Sequence, residues 1–214
     1  MLIRILLILF GYVFGLFQTG WFYGKHVGVN LKESGSGNTG ATNALRVLGV
    51  KAGLVVLVFD ALKAAVPCLL VHFFMPADGS ALRTAYVLYA GLGAILGNNY
   101  PFFLKFNGGK GVAALLGVVL AVDYQAALLL LALFFILAFV TRYVSLASVT
   151  CCLLLMGYAF LYNRMNYAPA CWTDRTIEVL VLMMLIPGLV IFRHSANIKR
   201  LFNGTENRFG KRKK

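Results

Sequence analysis

Residues 126–140 read Ala-Ala-Leu-Leu-Leu-Leu-Ala-Leu-Phe-Phe-Ile-Leu-Ala-Phe-Val, without a single polar side chain. Further blocks with few or no charges cover residues 5–17, 53–75, 84–97, 143–162 and 179–192. Across the 214 residues, 60% are hydrophobic, 13% are charged, and the mean hydropathy is +0.81. A water-soluble fold cannot bury so large an apolar fraction. The sequence therefore predicts an all-α polytopic membrane protein and excludes a secreted disulfide scaffold, a disordered chain and a soluble enzyme with an excised signal peptide.

The number of membrane spans follows from the length of each apolar block, because a helix needs about 20 residues to cross a hydrocarbon core of ~30 Å. Two stretches, 82–97 and 112–122, are apolar but short, and they flank a polar run. They are either tilted spans or a re-entrant pair, and we predict tilted spans, hence seven transmembrane helices in one integral membrane domain, residues 1–214. The five longer blocks are 3–24, 53–75, 125–141, 143–162 and 177–193.

The distribution of Lys and Arg predicts which loops face the cytoplasm. With seven spans, 15 of the 20 Lys and Arg residues lie in loops 25–51, 98–111 and 141–143 and in the tail from Arg193. The positive-inside rule places these segments in the cytoplasm and the amino terminus outside. We interpret the basic tail, residues 205–214, as a cytoplasmic anchor for anionic membrane lipids rather than a patch for nucleic acid.

Metal and disulfide chemistry are not expected. The three histidines and seven acidic residues are too sparse for a metal centre, and the four cysteines show no Cys-x-x-Cys spacing. A zinc or disulfide framework is therefore unsupported, and no metal ion and no cofactor are predicted. The cysteines are Cys68, Cys151, Cys152 and Cys171.

The first polar loop reads Glu33-Ser-Gly-Ser-Gly-Asn-Thr-Gly-Ala-Thr-Asn-Ala-Leu-Arg46. Its glycines permit positive φ angles, which let successive backbone N–H groups face one anion. The apolar spacing from Ala41 to Leu48, closed by Gly49, predicts a short helix whose amino end faces the same anion. Arg46 would add a bidentate donor. The alternative is a flexible glycine-rich linker.

The second polar loop runs from Asn98 to Gly111 and leads into an apolar helix. It ends in Asn-Gly-Gly-Lys-Gly, and a glycine turn that carries a lysine at a helix amino end is suited to hold phosphate. It is not a Walker A loop, because Leu104 and Gly111 stand where that pattern needs glycine and a hydroxyl residue. The alternative is a membrane-surface hairpin from which Lys110 snorkels.

The third polar segment runs from Arg193 to Glu206. His194, Asn197 and Arg200 follow one another at intervals of three, so a continued helix would align them on one stripe. The alternative is a juxtamembrane basic segment that holds anionic lipid, which accounts for the arginines but not for Asn197 or Glu206.

Charged residues inside or beside the spans are few. Asp60 and Lys63 are three residues apart in the second long block, and we expect them to form an ion pair. Arg142, which is followed by Ser145, ends another span on the side of the polar loops. Arg142 either snorkels there or forms a hydrogen bond with a loop or ligand.

At its three polar loops the sequence closely resembles the bacterial acyl-phosphate:glycerol-3-phosphate acyltransferases, the PlsY family. The order and spacing of three motifs are more specific than any single glycine motif, and the similarity covers nearly the whole chain. The matching segments are Gly35-Ser-Gly-Asn-Thr-Gly-Ala-Thr-Asn43 with Arg46, Asp60 to Lys63, Pro101 to Gly111, Thr141 to Ser148, and His194-x-x-Asn-Ile-x-Arg-Leu-x-x-Gly-Thr-Glu206.

The resemblance implies a multi-pass protein of the bacterial cytoplasmic (inner) membrane with its active site on the cytoplasmic face. It implies transfer of a fatty acyl group from acyl phosphate to the sn-1 hydroxyl of glycerol 3-phosphate, giving lysophosphatidic acid and phosphate for phospholipid biosynthesis. Neither acyl-CoA nor acyl carrier protein is then the direct donor, and the enzyme that makes acyl phosphate is a candidate partner. In agreement, no histidine begins the His-x-x-x-x-Asp motif of the soluble-domain glycerolipid acyltransferases, because Leu31, Ala77 and Lys199 stand five positions on.

The resemblance also implies roles for particular residues. Ser36, His194 and Asn197 are the candidate catalytic residues. Either His194 accepts the proton of the attacking hydroxyl or the phosphate of the donor does, and we predict the latter, with His194 orienting the substrate. The candidate substrate- and phosphate-binding residues are Gly37, Asn38, Thr42, Asn43, Arg46, Asn98, Lys105, Gly108, Gly109, Lys110, Gly111, Arg142, Ser145, Arg200 and Glu206.

Two positions depart from the usual family pattern. Asn98 stands where members usually carry histidine, and Asn107 stands where they usually carry lysine. An asparagine can donate to a phosphate oxygen but cannot take up a proton at neutral pH. We therefore predict that position 98 orients phosphate and does not act as a base.

Two other functions compete with the acyltransferase. A transporter or binding protein for an anionic phosphorylated solute would also combine glycine-rich breaks with basic residues. Transporters generally place such sites near the bilayer midplane, often between repeated halves, whereas these loops gather at one membrane face without a convincing internal repeat. A non-enzymatic assembly factor is the third hypothesis, and only hydrophobicity supports it.

Overall fold

The computed structural model describes residues 1–167 and 173–208. Within these ranges the chain forms ten α-helices and a 3-10 turn, Phe102–Leu104, and no β-strand, which confirms the predicted all-α fold. Cys171 and the basic residues 211–214 lie outside the described residues. The helices are α1 Leu2–Gly15, α2 Thr19–His26, α3 Ala41–Leu48, α4 Val50–Phe74, α5 Ser80–Asn99, α6 Val112–Val122, α7 Tyr124–Thr141, α8 Val144–Tyr167, α9 Asp174–Phe192 and α10 Ser195–Phe202.

Five segments are long and apolar enough to cross a membrane, and they confirm the five longer predicted blocks to within five residues at each end. The two shorter blocks are also helical. Helix α5 has 20 residues, about 30 Å at ~1.5 Å per residue, whereas α6 has 11, about 17 Å. Helix α6 alone is too short for a core of ~30 Å. The five segments are Leu2–His26, Val50–Phe74, Tyr124–Thr141, Val144–Tyr167 and Asp174–Phe192.

Helix α5 lies at the centre of the bundle, where it contacts α1, α4, α6 and α9. Small residues allow the backbones of α1 and α5 to touch. A Cβ atom at Gly11 would lie 1.9 Å from the carbonyl oxygen of Ala90, and one at Gly93 would lie 2.0 Å from that of Ile8. This is the close approach that glycines permit between membrane helices. Close contact with its neighbours explains the small residues of α5, among them Ala90 and Gly93.

The first membrane segment is broken, because α1 ends at Gly15 and α2 begins at Thr19. The predicted ion pair lies beside this break: Lys63 Nζ is 2.7 Å from Asp60 Oδ1. Lys63 also donates to the carbonyl oxygen of Phe17 at 2.7 Å, and the Thr19 hydroxyl donates to Asp60 at 2.8 Å. The pair therefore satisfies backbone and side-chain groups that the break exposes. Periodicity in the sequence predicted the pair but not the break.

Candidate active site

The three polar loops meet at one cavity of about 350 Å³ between α3, α4, α6, α7, α8 and α10. Most of the candidate site residues line it, although they come from distant parts of the chain. The lining includes Ser36, Asn38, Thr42, Asn43, Arg46, Asn98, Gly109, Lys110, Gly111, Ser145, His194, Asn197 and Glu206.

Three helices direct their amino ends at this cavity. Residues 40–43 at the start of α3, residues 111–114 at the start of α6, and His194, the N-cap of α10, all line it. No side chain caps these amino ends, because the N-caps Gly40 and Gly111 have none and that of His194 makes no capping hydrogen bond. Free N–H groups and aligned peptide dipoles at helix amino ends attract anions. The cavity is therefore positive at this end even before its charged side chains are counted.

The first loop is organised by the side chain of Asn43, which is 1% exposed. Its Oδ1 accepts a hydrogen bond from the backbone N–H of Ser36 at 2.8 Å. Its Nδ2 donates to the carbonyl oxygens of Leu31, Ser34 and Asn38 at 2.8–3.1 Å. The amide is thus occupied by the loop itself, so Asn43 shapes the wall of the cavity and has little capacity left for a ligand.

The glycines of this loop have different roles. Gly35 and Gly37 have the expected positive φ angles, 65° and 73°. Gly40 is extended, with φ −79°, and serves as the N-cap of α3. Helix α3 has the predicted bounds and ends at Gly49, whose φ is 90°. The loop is therefore a folded element and not a flexible linker.

In the second loop, Arg193 holds the outer side of the glycine turn. Its guanidinium donates to the carbonyl oxygens of Gly108 and Gly109 at 3.2–3.3 Å and lies over the Tyr100 ring. The Gly109 N–H donates to the Asn98 carbonyl at 3.0 Å. A cation thus neutralises carbonyl oxygens that would otherwise repel an incoming anion. Sequence reasoning missed this role of Arg193, and its place directly after the last span is the only signal for it.

A chain of hydrogen bonds joins the second loop to the third segment. Lys110 Nζ donates to Asn197 Oδ1 at 2.5 Å, and Asn197 Nδ2 donates to Glu206 Oε1 at 2.7 Å. Arg200 and the Ser145 hydroxyl also bind this carboxylate, at 2.7 Å and 3.1 Å. Glu206 therefore fixes Asn197, which in turn orients the lysine. The predicted alignment of His194, Asn197 and Arg200 on one helix face is confirmed only in part. The helix does not continue from α9 but begins again as α10, and Arg200 binds Glu206 without lining the cavity.

Lys110 is a buried cation, and burial of its ammonium group has a desolvation cost. Burial, together with repulsion from Arg200, Arg193 and Arg46, lowers its pKa to about 8, although Glu206 opposes the change. Desolvation disfavours the charged form of a buried lysine. A phosphate group in the cavity would supply the missing negative charge. The site is therefore suited to bind an anion next to this ammonium group.

His194 is 3% exposed, and its Nδ1 lies 2.8 Å from the carbonyl oxygen of Val190. Because a carbonyl only accepts, Nδ1 carries the hydrogen, and Nε2 of the neutral ring is left as an acceptor. Burial and the nearby Lys110 lower the pKa of His194 to about 4. The ring is therefore neutral at pH 7 and a weak base, although Nε2 can accept a hydrogen bond.

Several candidate residues do not line the cavity. Lys105 is exposed on the turn after the 3-10 segment, and Arg142 is exposed at the end of α7, each with positive φ. Gly37 is exposed and Gly108 is buried, and neither lines the cavity. Arg46 does line the cavity, at an exposed position, and forms no hydrogen bond or ion pair with residues 1–167 or 173–208. Of the arginines and lysines that line the cavity, Arg46 is the one left without a partner there.

The inner part of the cavity is apolar, which sequence reasoning did not predict. Helix α4 contributes Leu54 and Leu57, and α7 contributes Leu131 and Phe134. The carboxyl-bearing residue Asp60 also lines it. The cavity therefore has a polar end, formed by the loops, and an apolar end, formed by the walls of α4 and α7. Such a cavity suits a ligand with an anionic head and a hydrocarbon chain.

Comparison with known proteins agrees with this geometry. A family profile described as glycerol-3-phosphate acyltransferase matches residues 5–204. The chain is 39% identical to the glycerol-3-phosphate acyltransferase of Fusobacterium nucleatum, over 92% of this chain and 94% of the relative. It is also 39% identical to that of Bacillus subtilis, over 96% and 97%.

Two solved structures are similar over almost the whole chain. Both are crystal structures of PlsY (YgiH), an integral membrane glycerol 3-phosphate acyltransferase. The glycerol 3-phosphate form has a TM-score of 0.83 and 37% identity, covering 97% of this chain and 96% of that one. The lysophosphatidic acid form has a TM-score of 0.81 and 36% identity, covering 97% and 95%.

Proposed function

The chain belongs to the glycerol-3-phosphate acyltransferase family, in its PlsY branch of integral membrane enzymes, and we propose that it transfers a fatty acyl group from acyl phosphate to the sn-1 hydroxyl of glycerol 3-phosphate. The observation that carries this proposal is a cavity that has both an anion-attracting end and an apolar end. The products are lysophosphatidic acid and inorganic phosphate.

The polar end fits two phosphorylated substrates. Two dianions repel one another, so an enzyme that joins them must supply a positive field at both. Lys110, Arg46 and three helix amino ends surround this part of the cavity. Acyl phosphate is already an activated mixed anhydride, so positioning is the main task, and it is worth up to about 7–11 kcal/mol when the geometry is right.

In the reaction, the sn-1 hydroxyl oxygen attacks the acyl carbonyl carbon, and the bond from that carbon to the phosphate oxygen breaks. The hydroxyl proton passes to an oxygen of the donor's phosphate, which leaves as inorganic phosphate. The low pKa of His194 supports this route over histidine as the base. Its Nε2 orients the hydroxyl by accepting a hydrogen bond, while Ser36 and Asn197 orient the phosphate groups.

The apolar end supports a lipid substrate over a small solute. An acyl chain would lie between Leu57 of α4 and Leu131 and Phe134 of α7. A transporter for a phosphorylated solute has no need of these apolar walls. Uptake of labelled glycerol 3-phosphate into vesicles without any acyl donor would favour the transporter.

We further propose seven spans, counting α1 with α2 as one, then α4 to α9, with the 11-residue α6 crossing only together with the glycine turn that precedes it. The amino terminus is outside, and residues 30–49, 98–111 and 193–214 face the cytoplasm of a bacterial inner membrane. Residues 1–214 form one domain, with residues 205–214 as its basic tail. The enzyme that makes acyl phosphate acts on the cytoplasmic side, where the active site lies. Cysteine labelling at positions 37 and 107 in a cysteine-free variant tests this topology, and labelling from the periplasm would contradict it.

The direct test of function uses purified protein in detergent. Palmitoyl phosphate and labelled glycerol 3-phosphate should give labelled lysophosphatidic acid and one phosphate per turnover. Palmitoyl-CoA and palmitoyl acyl carrier protein, tested separately as donors, should give none. Product from either thioester at a comparable rate would contradict the proposed donor while leaving the family assignment intact.

A further inference from the structure

We infer that Gln18 is a positioning residue that holds the first and second polar loops, residues 33–46 and 98–111, in fixed alignment. Gln18 lies in the break between α1 and α2 and is 2% exposed. Its Nε2 donates to the carbonyl oxygens of Asn98 and Gly97 at 3.1 Å and 3.4 Å. Its Oε1 accepts a hydrogen bond from the Thr39 hydroxyl at 3.3 Å. One amide therefore connects the two loops from behind the cavity.

The chemistry at this position requires an amide. The carbonyl oxygen of Gly15, at 3.3 Å, also faces Nε2, so three carbonyl groups surround the donor end of Gln18. The acceptor end faces the hydroxyl of Thr39. A side chain must donate at one end and accept at the other to satisfy both sets. Methionine has a similar length but can do neither well.

Both contacts are close to atoms that line the cavity. Thr39 is buried and directly precedes Gly40, the N-cap of α3. The Asn98 carbonyl that Gln18 binds also accepts the N–H of Gly109. A displacement at Gln18 would therefore shift the amino end of α3 relative to the glycine turn before α6.

The backbone around Gln18 is held firmly, so its side chain is a stable reference point. Lys63 binds the carbonyl oxygen of Phe17, and Asp60 binds the hydroxyl of Thr19, the two flanking residues. Both charged groups come from α4. Their ion pair thereby fixes the point from which the amide reaches both loops.

This arrangement predicts a particular kinetic effect, and the prediction rests on the proposed function. Each loop keeps its own anion-binding groups when Gln18 is replaced, so each substrate should still bind. Only the placement of one substrate relative to the other is disturbed. A displacement of about 1 Å between reacting groups can cost a hundredfold in rate. The loss should therefore fall on kcat and not on KM.

The first experiment compares Gln18→Met with the wild type in the acyl phosphate assay. We expect kcat to fall about tenfold to a hundredfold, with both KM values within about threefold of the wild type. The matched control is Asn163→Leu, which removes another buried amide, in α8, whose Oδ1 has no hydrogen-bond partner within the described residues. Unchanged kcat in Gln18→Met, or a loss confined to KM, would overturn the inference.

Thr39→Val removes only the hydroxyl partner and guards against a folding defect in Gln18→Met. If both residues act through one connection, Thr39→Val should lower kcat by a smaller factor. The double variant should then be no slower than Gln18→Met alone, because coupled residues are not additive. Fully multiplicative losses would show that the two residues act separately and would contradict the inference.

A structural readout separates this inference from the proposed function. Spin labels at positions 33 and 105, in a variant without the four native cysteines, report the distance between the two loops. We expect a broader distance distribution in Gln18→Met than in the wild type or Asn163→Leu. An unchanged distribution would overturn the inference even if the enzyme is active. Inactivity of the wild type with acyl phosphate would instead count against the proposed donor alone.

Discussion

The two ends of the cavity are built in opposite ways. At the polar end, short helices and loops present backbone N–H groups, and side chains such as Lys110 and Asn197 are fixed by hydrogen bonds. At the apolar end, the long helices α4 and α7 present side chains such as Leu131, which pack without directional bonds. Hydrogen bonds depend on angle and distance, whereas burial of apolar surface does not. Changes at the polar end should therefore alter substrate binding and turnover, and changes at the apolar end should alter only which acyl chain is accepted.

The largest effect is expected from Lys110→Ala. The change removes a cation from the polar end and leaves Asn197 without its donor, and a lost charged hydrogen bond commonly costs about 1.5–3 kcal/mol. We expect kcat/KM to fall about tenfold to a hundredfold with the fold intact. Lys105→Ala is the matched control, because Lys105 belongs to the same loop but lies outside the cavity. Equal losses in both variants would contradict the specific role of the lysine that lines the polar end of the cavity.

His194→Gln tests whether the polar end orients substrate or performs proton transfer. If the donor's phosphate is the base, the variant should keep a measurable rate, about tenfold lower, since one hydrogen bond is weakened. The acidic limb of its pH profile should persist, because a phosphate with a pKa of about 6 still titrates. A pH-independent residual rate several thousandfold below the wild type, with unchanged substrate affinities, would identify His194 as the base.

Alkaline pH should weaken binding at the polar end. The pKa of Lys110 is lowered to about 8, so its charge is present below pH 8 and is lost as pH rises through that value. Bound phosphate favours the ammonium form, so the effect should appear in KM for a phosphorylated substrate and not in kcat. We expect KM to rise by about fivefold from pH 8 to pH 9, because the charged fraction of the lysine falls from about one half to about one tenth. The same rise in Lys110→Ala would refute this cause.

The smallest effect is expected at the apolar end. Leu131→Trp should fill part of the apolar space and shift preference toward shorter acyl phosphates. Each lost methylene contact is worth about 0.8 kcal/mol, roughly fourfold in kcat/KM. The control is Leu129→Trp, because Leu129 is on the same helix but 73% exposed. Competition between lauroyl and palmitoyl phosphate measures the shift, and an equal shift in both variants would contradict the proposed chain position.

The same contrast explains what could be predicted from the sequence. Residue types that bind phosphate are rare in an apolar chain, so the three polar loops could be identified from the sequence. Helix α3 was predicted with its correct bounds. The apolar end could not be predicted from the sequence, because two residues of the same type on α7 have different positions. Leu131 lines the cavity, whereas Leu129 is 73% exposed. Only the rotation of α7 against its neighbours separates them, and that is a property of the bundle.

Breaks in helices were also beyond sequence reasoning. The chain passes through the break at Gln18 within an apolar block, and the buried ion pair that stabilises this break belongs to α4.

The position of Arg142 was also not predictable. Arg142 was predicted near the ligand because it follows a span on the side of the polar loops. The structure shows it exposed at the end of α7, away from the cavity lining. The side of the membrane on which a residue lies does not determine the direction in which its side chain points around the helix axis.

The glycine contacts between α1 and α5 have a consequence for how the protein is made. Gly11 and Ala90 touch although they are 79 positions apart in the chain. At a synthesis rate of about 5–20 residues per second, roughly four to sixteen seconds separate the emergence of the two. During that interval the first helix is in the bilayer with a bare strip of backbone and without its principal neighbour. Packing of the bundle therefore lags behind synthesis, because α1 gains its principal neighbour only after α5 has been translated.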